Sequence, residues 1–236
     1  MEILGCDDSE WKALPPLSCG PIIDCIALSI DETASELGQV LLLCRVLGSA
    51  SAVHTVDLAT GVCTPQRSTS VNIGQFPQPS FGARLQDGRV VCMLENIGSA
   101  GMQVTPQVLG PPDPGSPNEA SWQWRILPAM ARYGSSGCVL SDGRFAVFGG
   151  LDYSIPTCVA SCEALTLVGS DARWDPLPPM HQSRHEFVCA AIGGCVIVAG
   201  SRAGSEVYEE GLRRWRRLPC TLPYDSGTRW MGTALL

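Results

Sequence analysis

His181 and His185 stand four residues apart, with Ser183 between them and Glu186 beside them. Imidazole, hydroxyl and carboxylate groups are what metal sites and hydrolases are built from. A helix would bring both rings together on one face at this spacing. The segment instead reads as a connector after the Trp174–Pro179 stretch, and no Gly-x-Ser-x-Gly elbow is present to expose a nucleophile. The histidines are therefore read as ordinary loop side chains. Cys158-x-x-x-Cys162 is the nearest approach to paired zinc ligands. Without a second pair at finger-like spacing it implies no metal. Arg213-Arg214-Trp215-Arg216-Arg217 is the one basic cluster, and it could meet a phosphate or an acidic partner. Strand alternation would turn Trp215 inward and Arg214 and Arg216 outward, so the cluster is read as a solvated outer strand that resists edge pairing.

These side chains must be positioned by a chain of 236 residues whose 25 glycines and 18 prolines mark it as rich in turns. Hydrophobic content of 45% without helical heptads points to β structure. The net charge of −7 repels phosphate backbones and acidic lipids, so neither nucleic acid nor a membrane surface is expected as a partner. The N-terminal MEILGCDDSEW has acids where a secretory signal has bases, and the longest apolar run, Val40–Cys44, stops at Arg45. A cytoplasmic location follows as the expectation, with the nucleus also open. The 12 cysteines are then read as reduced. Cys25, Cys44, Cys92, Cys138, Cys189 and Cys195 lie in apolar strand-like runs, where a thiol packs as a small hydrophobe.

One unit recurs along the chain. Residues Arg132 to Met180 give two short apolar runs joined by Asp142-Gly143, a Gly149-Gly150 stop, a third run ending in LTLV, and Trp174-Asp-Pro-Leu-Pro-Pro. Four short strands separated by turn residues are what one blade of a β-propeller needs. The ending returns as Trp11-Lys-Ala-Leu-Pro-Pro, Trp124-Arg-Ile-Leu-Pro and Trp215-Arg-Arg-Leu-Pro. Trp124, Trp174 and Trp215 are 50 and 41 residues apart, within the range of kelch or WD blades. The reading is a single all-β propeller domain over 1–236, with blades near 18–66, 78–128, 132–180 and 184–220. Partial strands at 11–17 and 228–236 flank these blades, and residues 110–120 form an inserted proline-rich loop.

Phe148-Gly149-Gly150, its weaker copy Val198-Ala199-Gly200, and the tryptophans Trp174 and Trp215 resemble the kelch-repeat family. Met130-Ala-Arg132 and Met180-His-Gln-Ser-Arg184 are similar to the connectors that lead from one kelch blade to the next, and Tyr208 to the family's tyrosine. Kelch propellers usually close with five to seven blades, so the resemblance implies either a fragment of a longer chain, the preferred reading, or a ring completed by another copy. It also implies that Arg132, Arg184 and Arg229, at the starts of first strands, receive an acidic peptide or partner protein on one face of loops. Tyr153 and Arg202 sit in analogous connections. The alternative is that these arginines cap strands. The function implied is a non-catalytic interaction module without cofactor. In relatives with an F-box or BTB segment such a module recognises substrates for ubiquitin ligation, although no residue here matches either adaptor. The competing expectation is a propeller enzyme, oxidase- or lyase-like, with its site at the mouth of the axis. Three histidines and four tyrosines are a meagre supply for the copper site of a galactose oxidase-like protein.

Overall fold

Alternating apolar residues punctuated by Asp-Gly and Gly-Gly pairs fold into hairpins, and hairpins are what the chain contains. A computed structural model describes residues 2–4, 11–13, 21–30, 38–46, 52–66, 78–98, 101–110, 123–152, 154–169, 171–201 and 203–219. The expected strand at 228–236 lies outside them, as does the loop expected at 110–120 except for Gly110, which ends a strand. Strands β1 (Glu2–Leu4) and β2 (Trp11–Ala13) pair with each other. The first four-stranded sheet follows, with β3 (Ile22–Ser29), β4 (Gln39–Val46), β5 (Ala52–Asp57) and β6 (Cys63–Gln66). The second holds β7 (Gln78–Arg84), β8 (Val90–Gly98), β9 (Gly101–Gly110) and β10 (Gln123–Ile126). Next come β11 (Arg132–Tyr133), β12 (Ser136–Val139), β13 (Phe145–Phe148), β14 (Leu151–Asp152), β15 (Thr157–Cys158), β16 (Cys162–Val168) and β17 (Asp171–Leu177). Of these, β12-β13-β16-β17 form the third sheet and β11-β14-β15 a small sheet beside it. The fourth holds β18 (Phe187–Ile192), β19 (Cys195–Gly200), β20 (Ala203–Glu209) and β21 (Arg214–Arg217).

The fold is all-β, with a single 3-10 turn at Glu210–Leu212 among the described residues. Among the same residues no helix is long and apolar enough to cross a membrane. Each of the four larger sheets is an antiparallel meander whose spatial order is its chain order. In the second and third sheets the first two strands are joined by the same device. Arg89 Nε donates to Asp87 Oδ2 and Arg144 Nε to Asp142 Oδ2, both at 2.8 Å. The N–H of Gly88 and that of Gly143 donate to the carbonyls of Leu85 and Leu140 at 3.0 and 2.9 Å. Leu-x-Asp-Gly-Arg is thus one turn used twice.

First strands of successive sheets lie side by side, β3 against β7, β7 against β12 and β12 against β18. That closeness demands small residues. A methyl group on Gly137 of β12 would strike the ring of Phe81 and come within 2.7 Å of the Ala146 carbonyl oxygen. One on Gly82 of β7 would come within 3.0 Å of Leu28 on β3. Each seam between successive sheets carries its own apolar core. Leu41, Leu43, Val90, Cys92 and Leu94 fill the first seam. Ala83, Val91, Met93, Phe145, Val147 and Leu165 fill the second. Phe148, Cys162, Met180, Cys189, Val196, Tyr208 and Trp215 fill the third. The recurring tryptophans of the fourth strands pack on these seams, Trp124 on the first, Trp174 on the second and Trp215 on the third.

No disulfide joins the nine cysteines among the described residues. Cys44, Cys92, Cys138 and Cys189 are buried as hydrophobes, but Cys25 is exposed and Cys195 only half-buried. Cys195 shares a face of β19 with exposed Ile197, while Val196 and Val198 on the other face are buried. Cys25 lies opposite Cys44 across the β3–β4 pair, Sγ to Sγ 3.3 Å.

Candidate binding site

Because every sheet is a meander, its connections sort between two ends. The Asp-Gly and Gly193-Gly194 hairpins and the turn after Val168 emerge at one end. The longer connections 149–161 and 178–186 emerge at the other, and there Arg132 and Arg184, two of the arginines expected to bind, are found. Long connections on a rigid scaffold are where binding side chains concentrate.

This end is braced from sheet to sheet by the main chain. The N–H of Gly150 donates to the Arg184 carbonyl at 2.8 Å and that of Glu186 to the Gly134 carbonyl at 2.7 Å, while that of Met180 donates to the Ala160 carbonyl at 2.9 Å and prolongs the β16–β17 pair. Gly149 and Gly150 make the first bond possible. Their φ angles are 57° and 110°, and a Cβ at Gly149 would lie 2.5 Å from the Arg184 carbonyl oxygen. The double glycine is thus a close approach between neighbouring sheets. At the third seam, Trp215 Nε1 donates to the Pro178 carbonyl at 2.8 Å; at the second, Trp174 Nε1 donates to the Pro128 carbonyl at 3.0 Å. The repeated Trp and Leu-Pro of the sequence are two halves of one contact, each tryptophan reaching back to the proline of the preceding unit.

Arg184 is fully buried against Glu206 of β20, which is buried as completely. Its Nη2 donates to Glu206 Oε1 at 2.6 Å and to the Gly204 carbonyl at 2.9 Å. The N–H groups of His181 and Gln182 donate to Glu206 Oε2 and Oε1 at 2.8 and 3.1 Å. Both carboxylate oxygens are thereby used. The Phe187 ring lies 5.7 Å from the guanidinium carbon. Burial pulls the guanidinium below its ordinary pKa and Glu206 pushes it back, leaving it charged at any physiological pH. His181 Nε2 donates to the Trp215 carbonyl at 3.1 Å, because a carbonyl can only accept, so the proton of that imidazole sits on Nε2.

Arg132 repeats the arrangement one unit earlier and nearer the surface. Its Nη2 donates to Glu163 Oε2 at 2.7 Å, and its Nη1 to the Ser161 carbonyl at 3.0 Å and to the Ser161 hydroxyl. Arg132 is 7% exposed and the Glu163 side chain 36%. Burial lowers this guanidinium too, opposed chiefly by Glu163. Beside it lies a hollow of about 230 Å³ lined by Arg132, Asp152, Ser161, Glu163 and Trp174 among others. A hollow of about 240 Å³ at the opposite end is lined by the two Asp-Gly-Arg turns with Leu165 and Leu167.

Arg132 and Arg184 are therefore brought to the same end of the molecule, but each spends its charge on a glutamate of a third strand, Glu163 of β16 and Glu206 of β20. Tyr153, Arg202 and Arg229 lie outside the described residues. The sequence reading missed both glutamates. Their signal is a carboxylate inside a third strand, Glu163 as the second residue of Cys162–Val168 and Glu206 at the middle of Ala203–Glu209. It also missed that Cys158 and His185 meet, with Sγ 3.1 Å from Nδ1, because neither residue is near the other in the chain. The Arg213–Arg217 cluster folds as expected, Trp215 buried and Arg214 and Arg216 exposed, both paired with Glu209 at 2.7 and 3.4 Å. Compared with known proteins, the chain matches no family model and no curated protein.

Proposed function

We propose that the four larger sheets are consecutive blades of a kelch-type β-propeller, and that the protein is a non-catalytic module that takes a protein partner on the end formed by connections 149–161 and 178–186. The observation that carries this reading is the main-chain bracing of these connections from one sheet to the next. It presents loop side chains on a stiff platform, which lowers the entropy lost on binding. The adjacency of first strands and the repeated Trp-to-proline contacts support the blade reading. The hollow at this end, about 230 Å³, is smaller than the roughly 300–1,000 Å³ of small-molecule sites, which favours a macromolecular surface. Ile155 stands 61% exposed there, a large apolar side chain suited to anchor a partner.

With Arg132 and Arg184 buried and paired, changing either would disturb folding before it reported on contact. Ile155 is the better probe. Its matched control is Val168, 65% exposed at the opposite end. In affinity capture from cells, Ile155→Asp is expected to weaken recovery of the wild-type partner at least about tenfold, while Val168→Asp retains it. Full retention by Ile155→Asp with loss by Val168→Asp would place the partner at the other end.

A further inference from the structure

Cys158 ends β15, and the connection between the third and fourth sheets lays His185 against it, Sγ 3.1 Å from Nδ1. Both side chains are half-buried, reachable by a small reagent and shielded on one side. The histidine is held in place: its backbone N–H donates to Ser201 Oγ at 3.2 Å. The backbone on both sides of that bond is unusual. Glu186, next in the chain, has φ 50° and Ser201 φ 61°, two of the three non-glycine residues with positive φ among those described. Left-handed backbone at such residues is strained, and strain of this kind gathers where a fold holds a functional group in position.

We propose that Cys158 and His185 form a nucleophile–base pair that takes soft, carbon-centred electrophiles at the loop end of the third and fourth sheets. Thiol and imidazole within hydrogen-bond reach are the arrangement by which a weak nucleophile is activated. With an α-haloamide, an Sγ–C bond forms as the carbon–halogen bond breaks. The halide leaves with the electron pair, and the thiol proton passes to Nδ1 of His185. No oxidant or metal is needed. Two other thiols are differently placed. Cys162 is 2% exposed, and burial pushes its pKa up to about 12. Cys195 is half-buried like Cys158 but has no histidine against it among the described residues, which makes it the internal standard.

The test is iodoacetamide labelling of the whole chain, with the rate at each cysteine followed by mass spectrometry between pH 6 and pH 9.5. At pH 7, Cys158 is expected to react at least about tenfold faster than Cys195, the low end of what a positioned base contributes. The ratio should fall toward one by about pH 9.5, where thiols ionise without help. His185→Gln should remove the advantage at pH 7 and leave the Cys195 rate unchanged. A Cys158 rate no greater than that of Cys195 at pH 7, a ratio independent of pH, or an unchanged ratio in a folded His185→Gln protein would overturn the proposal. The pH series on the wild-type chain decides the matter even if the variant does not fold.

Discussion

Replacing Glu206 with alanine is expected to cost the folded protein about 3–5 kcal/mol, because it strands the buried Arg184 guanidinium without its counter-charge. Arg184 already leaves Nε and Nη1 without an acceptor among the described residues, so it has no spare partner to turn to. The same change orphans the N–H groups of His181 and Gln182. Removing both members, as Arg184→Met with Glu206→Leu, should recover the part of the loss due to the stranded charge, while the N–H groups of His181 and Gln182 stay without their acceptor. Glu163→Ala makes the contrast. Its carboxylate is 36% exposed, water screens the pair, and the expected loss is about 1 kcal/mol. Denaturant midpoints of the three variants check the ordering. A Glu206→Ala protein as stable as Glu163→Ala would mean that Arg184 is not sealed between the sheets.

The second large effect is expected at Trp215, whose replacement by alanine should destabilise by about 3–5 kcal/mol. The indole is buried, meets the Phe148 ring edge-on at 5.8 Å and lies 5.2 Å from Tyr208. These contacts join β21 to the third sheet as well as to its own. Trp215→Phe retains most of the apolar burial and loses the bond to the Pro178 carbonyl, at a cost of about 1 kcal/mol beyond the smaller ring. Trp174 makes the corresponding bond while only half-buried, so Trp174→Ala should cost less than Trp215→Ala. Urea unfolding followed by circular dichroism measures all three. A near-neutral Trp215→Ala would show that the third seam does not hold the fourth sheet.

Much of this architecture was legible in the residues. Asp142-Gly143 reads as a hairpin turn and Trp215 as inward-facing, because those features are local and a strand has a fixed period of two. The second sheet was harder. Strand β9, Gly101–Gly110, contains Pro106, which lacks a donor and disguises the segment as a loop, yet it pairs along its length with β8. The functional end was read least well, for a physical reason. An arginine at a strand start looks free in sequence, and only the register of the third strand decides that Glu163 and Glu206 arrive to neutralise it. The contact between Cys158 and His185 likewise exists only because two connections from different sheets meet.

The account rests on successive sheets being packed by one repeated seam about a shared centre, and a crystal structure of the chain measures this most directly. The expected result has β3, β7, β12 and β18 side by side at the inner edge, with Trp174 and Trp215 bonded to the carbonyls of Pro128 and Pro178. First strands held apart, or tryptophans turned away from the preceding sheet, would contradict it.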